Sequence, residues 1–149
     1  MDRISWDEYF FGVTRLIAKR SNCIKPGRQI GAIIVKDNQI LSTGYSGAAM
    51  GIPHCKVCPR LEAKTSKRRD ECRAVHAEIN AIALAARKGI SIDGASIYCT
   101  LFPCHECLSA LINAGIVSII YDQDTEDKLN KEILRQSKLI SRRFNEKKE

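Results

Sequence analysis

Two short motifs constrain this chain more than any other feature: His76-Ala77-Glu78 and, about 25 residues later, Pro103-Cys104-His105-Glu106-Cys107. One imidazole and two thiols are ligand types that zinc prefers, and a tetrahedral site with three protein ligands keeps its fourth position open for water or substrate. His76, Cys104 and Cys107 supply those three. Any fold the chain adopts must therefore bring two segments distant in sequence to one point.

Local patterns say how. Cys104 and Cys107 are three apart, so on a helix they share one face, and Pro103 suits the start of that helix. Ile79, Ile82, Ala83 and Ala86 repeat at helical spacing up to Gly89, which places His76 near a second helix start. Two helix N-termini then point at the metal. Their positive ends matter because two thiolates cancel the formal charge of zinc and weaken it as a Lewis acid. Glu78 need not bind the metal and is free to carry a proton. The competing reading is a purely structural zinc site, since either motif alone is weak. Both motifs in this order, each opening an apolar-periodic helix, favour the catalytic one.

At 149 residues the chain is long enough to bury a core, and residues 1–149 are expected to form one domain. No apolar run is long enough to span a membrane, and Met1-Asp2-Arg3-Ile4-Ser5 does not open a signal peptide. The expectation is a cytoplasmic protein whose seven cysteines are thiols and metal ligands more than a disulfide framework. A net charge of +7 suggests an anionic substrate or partner. Much of it lies in Lys67-Arg68-Arg69 and the C-terminal tail, however, where solvated surface is the simpler explanation.

Along the chain, Ser5-Trp6-Asp7-Glu8 matches a capping box and opens a helix with Tyr9, Val13, Leu16 and Ile17 on its expected apolar face. Residues 29–35 read as a strand, Lys36-Asp37-Asn38-Gln39 as a turn, and Ile40 to about Tyr45 as the second strand of a hairpin. A Cys/His-containing connection at about residues 46–72 is long enough to suggest a binding element of its own. Ala95 to Thr100 reads as a strand that delivers Pro103 and the thiols. The Cys104 helix should end near Gly115, and residues 116–121 form a fourth strand, with the β, α, β alternation suggesting parallel pairing. Leu129, Ile133, Ile140 and Phe144 then mark a charged amphipathic helix at about 124–146.

Taken in order, Ser21-x-Cys23, Gly31-Ala32-x-x-Val35, Gly44-Tyr45-Ser46-Gly47, His76-Ala77-Glu78-x-Asn80-Ala81-Ile82 and Thr100-Leu101-Phe102-Pro103-Cys104-x-x-Cys107 cover most of the chain. This series resembles the deoxycytidylate (dCMP) deaminases of the zinc-dependent cytidine/deoxycytidylate deaminase superfamily. Free-nucleoside cytidine deaminases usually carry Cys where this chain has His76, and transfer-RNA adenosine deaminases usually carry Glu where it has Phe102. The resemblance implies an α/β fold of three layers, α/β/α, around a mixed sheet of four to five strands. It implies conversion of dCMP and water to dUMP and ammonia, which feeds thymidylate synthesis, with Zn2+ on His76, Cys104 and Cys107 and the proton transfers on Glu78. It places the backbone of Ala77 and of Thr100, Leu101 and Phe102 at the pyrimidine edge. Arg28, Lys25 and Tyr121 are candidates near the phosphate by charge and placement. A homo-oligomer, often a hexamer, is also implied, activated by dCTP with Mg2+ and inhibited by dTTP.

Some features depart from the family pattern. Ser46 stands where the family usually has a sugar-contacting Asn, and a serine is shorter and carries its donor and acceptor on one atom, where an amide presents them on two. No clear fifth strand is visible near the C-terminus. The connection also carries His54-Cys55-x-x-Cys58 and, later, Cys72. Cys55 and Cys58 have zinc-knuckle spacing, and Cys72 and Cys23 could close a structural four-ligand set, with His54 as an alternative ligand. The other reading is four free thiols in a reducing cytosol. Two further functions stay open: a cytosine deaminase acting on nucleic acid or another nucleotide, and a non-catalytic zinc-scaffolded binding module. No interleaving of aromatic with basic residues marks a strand-binding groove, which weighs against nucleic acid. A purely structural site has no use for Glu78.

Overall fold

The computed structural model describes residues 2–62, 70–125 and 127–144. Lys67-Arg68-Arg69 and the tail after residue 144 lie outside the described residues. The chain starts with helix α1 (Trp6–Ala18), fixed at its N-terminus by the expected capping box. The Ser5 amide donates to Glu8 at 2.7 Å and the Glu8 amide to the Ser5 hydroxyl at 3.2 Å. Its buried face differs from the sequence expectation. Tyr9 and Leu16 are exposed, and Phe10, Phe11, Thr14 and Ala18 are buried, with Val13 and Ile17 partly so. Two apolar faces compete on this helix, and the one carrying two phenylalanines removes more apolar area from water, roughly 1.5–3 kcal/mol for each ring.

Strands β1 (Gly31–Lys36) and β2 (Gln39–Tyr45) form the antiparallel hairpin. Asp37 and Asn38 both take positive φ, 52° and 59°, the conformation that tight two-residue hairpin turns require. The connection that follows contains a short strand, β3 (Gly47–Ala48), and one helical turn, α2 (Pro59–Glu62); β3 pairs with β4 (Ala74–Val75) just before His76. Helix α3 (Ala77–Lys88), strand β5 (Ser96–Leu101), helix α4 (His105–Asn113) and strand β6 (Ser118–Gln123) complete the middle of the chain.

The C-terminal segment corrects the expected long helix at 124–146. Helix α5 covers only Lys128–Gln136, and strand β7 (Ile140–Arg143) follows it. β7 pairs parallel to β6, giving a mixed five-stranded sheet of order β2-β1-β5-β6-β7. Ile-Ser-Arg-Arg shows no apolar alternation because β7 is an edge strand, and charged side chains suit an edge that must not pair further. Ion pairing of Arg142 with Asp7 at 2.8 Å and packing of Phe144 on Phe11, ring centroids 4.3 Å apart, tie β7 to α1.

The sheet residues alternate between two cores. Ile33, Val35, Tyr98 and Ile120 pack with α1. Ala32, Ile34, Ile97, Cys99 and Ile119 pack on the other face with α3 and α4, and Ile133 and Leu134 of α5 join them. This is the expected three-layer α/β/α arrangement. Helix α3 buries Ala77, Ala81 and Ala85, whereas Ala83 and Ala86, expected on its apolar face, are exposed. The reason is proximity: α3 lies so close to β2 that a Cβ on Gly44 would overlap the Ala77 carbonyl and stand 2.5 Å from the Ala81 nitrogen. Among the described residues no helix is long and apolar enough to cross a membrane.

Candidate active site

β4 ends directly on His76, and β5 leads through Leu101 to Pro103, so both motifs arrive at one end of the sheet. His76 is the N-cap residue of α3 and Cys104 that of α4, while Cys107 sits in the first turn of α4. Neither N-cap side chain makes a capping hydrogen bond, although side chains at such positions commonly do. Both are turned instead toward a shared point. His76 Nδ1 lies 3.5 Å from Cys104 Sγ and 3.3 Å from Cys107 Sγ. Tetrahedral zinc with ordinary Zn–N and Zn–S bonds requires N···S separations of about 3.6 Å. The donor set and its spacing therefore fit zinc. Among the described residues this is the one group of three potential ligands whose donor atoms all lie within 4.8 Å of one another.

The thiols and the carboxylate beside them are electrostatically uneven. Hydrogen bonding between the two thiols holds Cys104 well below the usual thiol range and pushes Cys107 up. A bound cation overrides that division, since it favours both thiolates. Glu78, in the first turn of α3, is only 4% exposed. Burial pushes its carboxyl up and the neighbouring Cys104 adds to the rise, against its own backbone hydrogen bond, His76 and a hydrogen bond with Cys107. A carboxyl raised in this way keeps a proton more readily than an ordinary one and can still release it, as general acid and base work demands.

His76, Ala77, Glu78 and Cys104 line a cavity of about 430 Å³, within the size range of small-ligand sites. Leu101 and Phe102 form part of its wall, and Lys25, Arg28 and Arg60 bring three cations to it. Ser46 reaches the same wall, but its hydroxyl is committed. It donates to the Arg28 carbonyl at 2.6 Å and accepts from the Ile30 amide at 3.0 Å, and it lies 2.8 Å from the Ser21 hydroxyl. Thr100 is likewise engaged, its hydroxyl accepting from the Gly31 amide at 3.1 Å, and it is not among the lining residues. Tyr121 also stands back from the cavity, its ring packed edge to face with Phe102 at 4.8 Å.

Arg60, Thr125 and Asp127 line the cavity without having been singled out in the sequence. Asp127 caps α5 by accepting from the Leu129 amide, and it accepts from the His105 amide at 3.1 Å and lies 2.9 Å from His105 Nδ1. Asn130 donates to the Pro103 carbonyl at 2.8 Å, so the start of α5 braces the turn that carries the two thiols. Of the possible second-site residues, Cys23, Cys58 and Cys72 all line the cavity, whereas His54 is exposed, 3.4 Å from the Asn22 amide nitrogen. These residues do not gather three donors within the spacing seen at His76.

Residues 4–123 match the model of the cytidine and deoxycytidylate deaminase zinc-binding region. The chain belongs to this family. ComE operon protein 2 of Bacillus subtilis is 39% identical over 127 residues, covering 83% of this chain and 62% of that protein. The deoxycytidylate deaminase of Mycobacterium phage D29 is 36% identical over 132 residues, 84% of this chain and 100% of the phage protein. The fission yeast (Schizosaccharomyces pombe) deoxycytidylate deaminase is 38% identical, and the chain spans only 37% of its length. Among solved structures, the dCMP deaminase of cyanophage S-TIM5 in apo form superposes with a TM-score of 0.76 at 27% identity, covering 95% of this chain and 99% of the phage chain. That phage enzyme has also been solved in complex with dCMP and dUMP.

Proposed function

We propose that this protein hydrolyses dCMP to dUMP and ammonia. The observation that carries the reading is a buried carboxyl, Glu78, beside the three converging donors of His76, Cys104 and Cys107, in a cavity lined also by three cations. The relatives named deoxycytidylate deaminase support the choice of substrate. Zinc, when bound by His76, Cys104 and Cys107, supplies Lewis acidity that makes water nucleophilic near neutral pH. The protein residues do the rest. Glu78 takes a proton from the attacking water as its oxygen bonds to C4 of cytosine, and passes that proton to N3. It then takes the remaining proton from the hydroxyl on C4 and delivers it to the amino group, the C4–N4 bond breaks, the C4 oxygen becomes the carbonyl of uracil and ammonia leaves. Ala77, Leu101 and Phe102 shape the slot for the base, and the cations at the cavity face the phosphate. The committed hydroxyl of Ser46 acts through the wall it pins, not through a sugar contact.

Several companion readings rest on the same family membership. A second, structural zinc on Cys23, Cys55, Cys58 and Cys72, with His54 as alternative ligand, is supported by the three thiols that share the cavity wall. A homo-oligomer is supported by the exposure of Met50, Ile52, Val57 and Leu61 on the connection; its hexameric size and the cytoplasmic location are what the family resemblance implies. Activation by dCTP with Mg2+ and inhibition by dTTP complete the reading, which treats residues 1–149 as one catalytic domain. Ammonia release from zinc-loaded protein given dCMP, deoxycytidine, dCTP and a cytosine-containing oligonucleotide tests the substrate. Turnover of dCMP above the other three is the expected result. Preferential turnover of the oligonucleotide would overturn the mononucleotide assignment, and no turnover of any with zinc bound would point to a binding module.

A further inference from the structure

Arg60 is singled out by what it lacks. Its Nε is sealed from solvent and meets no acceptor among the described residues. Two other arginines show the alternative: Arg15 pairs with Asp122 and Arg142 with Asp7, each at 2.8 Å. Asp127, across the same cavity, is taken up by His105 and the Leu129 amide. Asp70 and Glu106 line a neighbouring cavity together with Arg60, yet neither meets its Nε. Burying one N–H of a guanidinium without an acceptor is unfavourable, and an anion held near the same charged group offsets part of that cost. The planar fork of arginine matches the oxygens of a phosphate better than the point charge of a lysine does.

Position adds a second argument. Arg60 lies on α2, in the cysteine-containing connection, and lines the cavity that also contains His76 and Glu78. Arg28 lines that cavity too but is exposed, so water screens its charge and competes for its hydrogen bonds. We propose that Arg60 reads the 5′-phosphate of the substrate and is the residue that sets the preference for nucleotide over nucleoside. This inference rests on the nucleotide reading given above. It assigns the connection a direct part in specificity, beyond that of a surface loop.

The test is calorimetric binding of the product dUMP and of its nucleoside, deoxyuridine, to zinc-loaded wild type, Arg60→Gln and Arg28→Gln. Wild type should bind dUMP much more tightly than deoxyuridine. Arg60→Gln should weaken dUMP by at least about tenfold, the value of one charge-assisted hydrogen bond or more, and leave deoxyuridine and zinc content unchanged. Arg28→Gln should weaken dUMP by less than about threefold, as an exposed charge would. Equal weakening of both ligands by Arg60→Gln, or an unchanged dUMP affinity, overturns the assignment. If Arg60→Gln does not fold, Arg60→Lys keeps the charge and loses the fork: the ratio of the two affinities should fall, and an unchanged ratio overturns the proposal. Wild type that binds the two ligands alike overturns the nucleotide reading and this inference with it. Wild-type discrimination that survives in the variants overturns Arg60 alone.

Discussion

Replacing Gly44 by alanine is the smallest change that should reach the metal site from outside it. Gly44 lies in β2 with an ordinary negative φ, so alanine meets no backbone penalty there and the effect is purely steric. The added Cβ would overlap the Ala77 carbonyl oxygen and stand 2.5 Å from the Ala81 nitrogen. Carbon contacts relax at about 3.5 Å, so α3 must retreat by roughly 1 Å. Overpacking of this kind typically costs about 1–3 kcal/mol. For a chain of this size that corresponds to a fall in Tm of roughly 2–12 °C. The same movement displaces His76, the N-cap of α3, and Glu78 in its first turn. A misplacement of about 1 Å can cost on the order of a hundredfold in rate. Thermal unfolding followed by circular dichroism, with kcat/KM for dCMP measured on the same zinc-loaded sample, checks both effects. A Tm within about 1 °C of wild type together with unchanged kcat/KM would refute the close packing on which the site geometry depends.

Two other perturbations probe the site's surroundings. Hydrogen bonding from His105 holds the Asp127 carboxyl below its usual range. Its contribution to stability is therefore present above the unfolded value of about 3.9 and is lost as pH falls through the lower folded value. Denaturant titrations should show Asp127→Asn less stable than wild type at pH 7, with the gap closing below about pH 4; a gap that widens in acid would contradict the sign. Removal of zinc by a chelator should expose Cys104 as a reactive thiolate, because Cys107 holds its pKa down. Iodoacetamide at about pH 6, where an ordinary thiol of pKa about 8.5 is nearly inert, should label Cys104 in the stripped protein and spare it in the loaded one. Equal labelling of both forms would argue against Cys104 as a ligand.

How much of this was readable in advance follows from how local each signal is. His76, Cys104 and Cys107 stand out because few residue types ligate zinc and because their spacings fit helix starts. Glu78 follows from its place beside His76. The capping box at Ser5 is equally local. Periodicity does not decide the buried face of α1, because Tyr9 and Leu16 repeat at the same period as the phenylalanines, and only the position of the sheet decides between them. In α3 the alanines face inward because the helix backbone lies against Gly44, a proximity that periodicity cannot express. Strand β7 was hidden by its Ser-Arg-Arg composition and depends on a parallel partner, β6, already in place. Arg60 and Asp127 join the cavity from segments that carry no motif, so only the fold brings them to the site.

The most direct test of the account compares ammonia release from dCMP by zinc-loaded wild type and Glu78→Gln, with zinc content measured on each. Wild type should release ammonia steadily. The variant should lose about 10²-fold or more, with its zinc retained, because the substitution removes the proton carrier and leaves His76, Cys104 and Cys107 intact. Comparable turnover by the variant, or zinc-loaded wild type that releases no ammonia from dCMP, would contradict it.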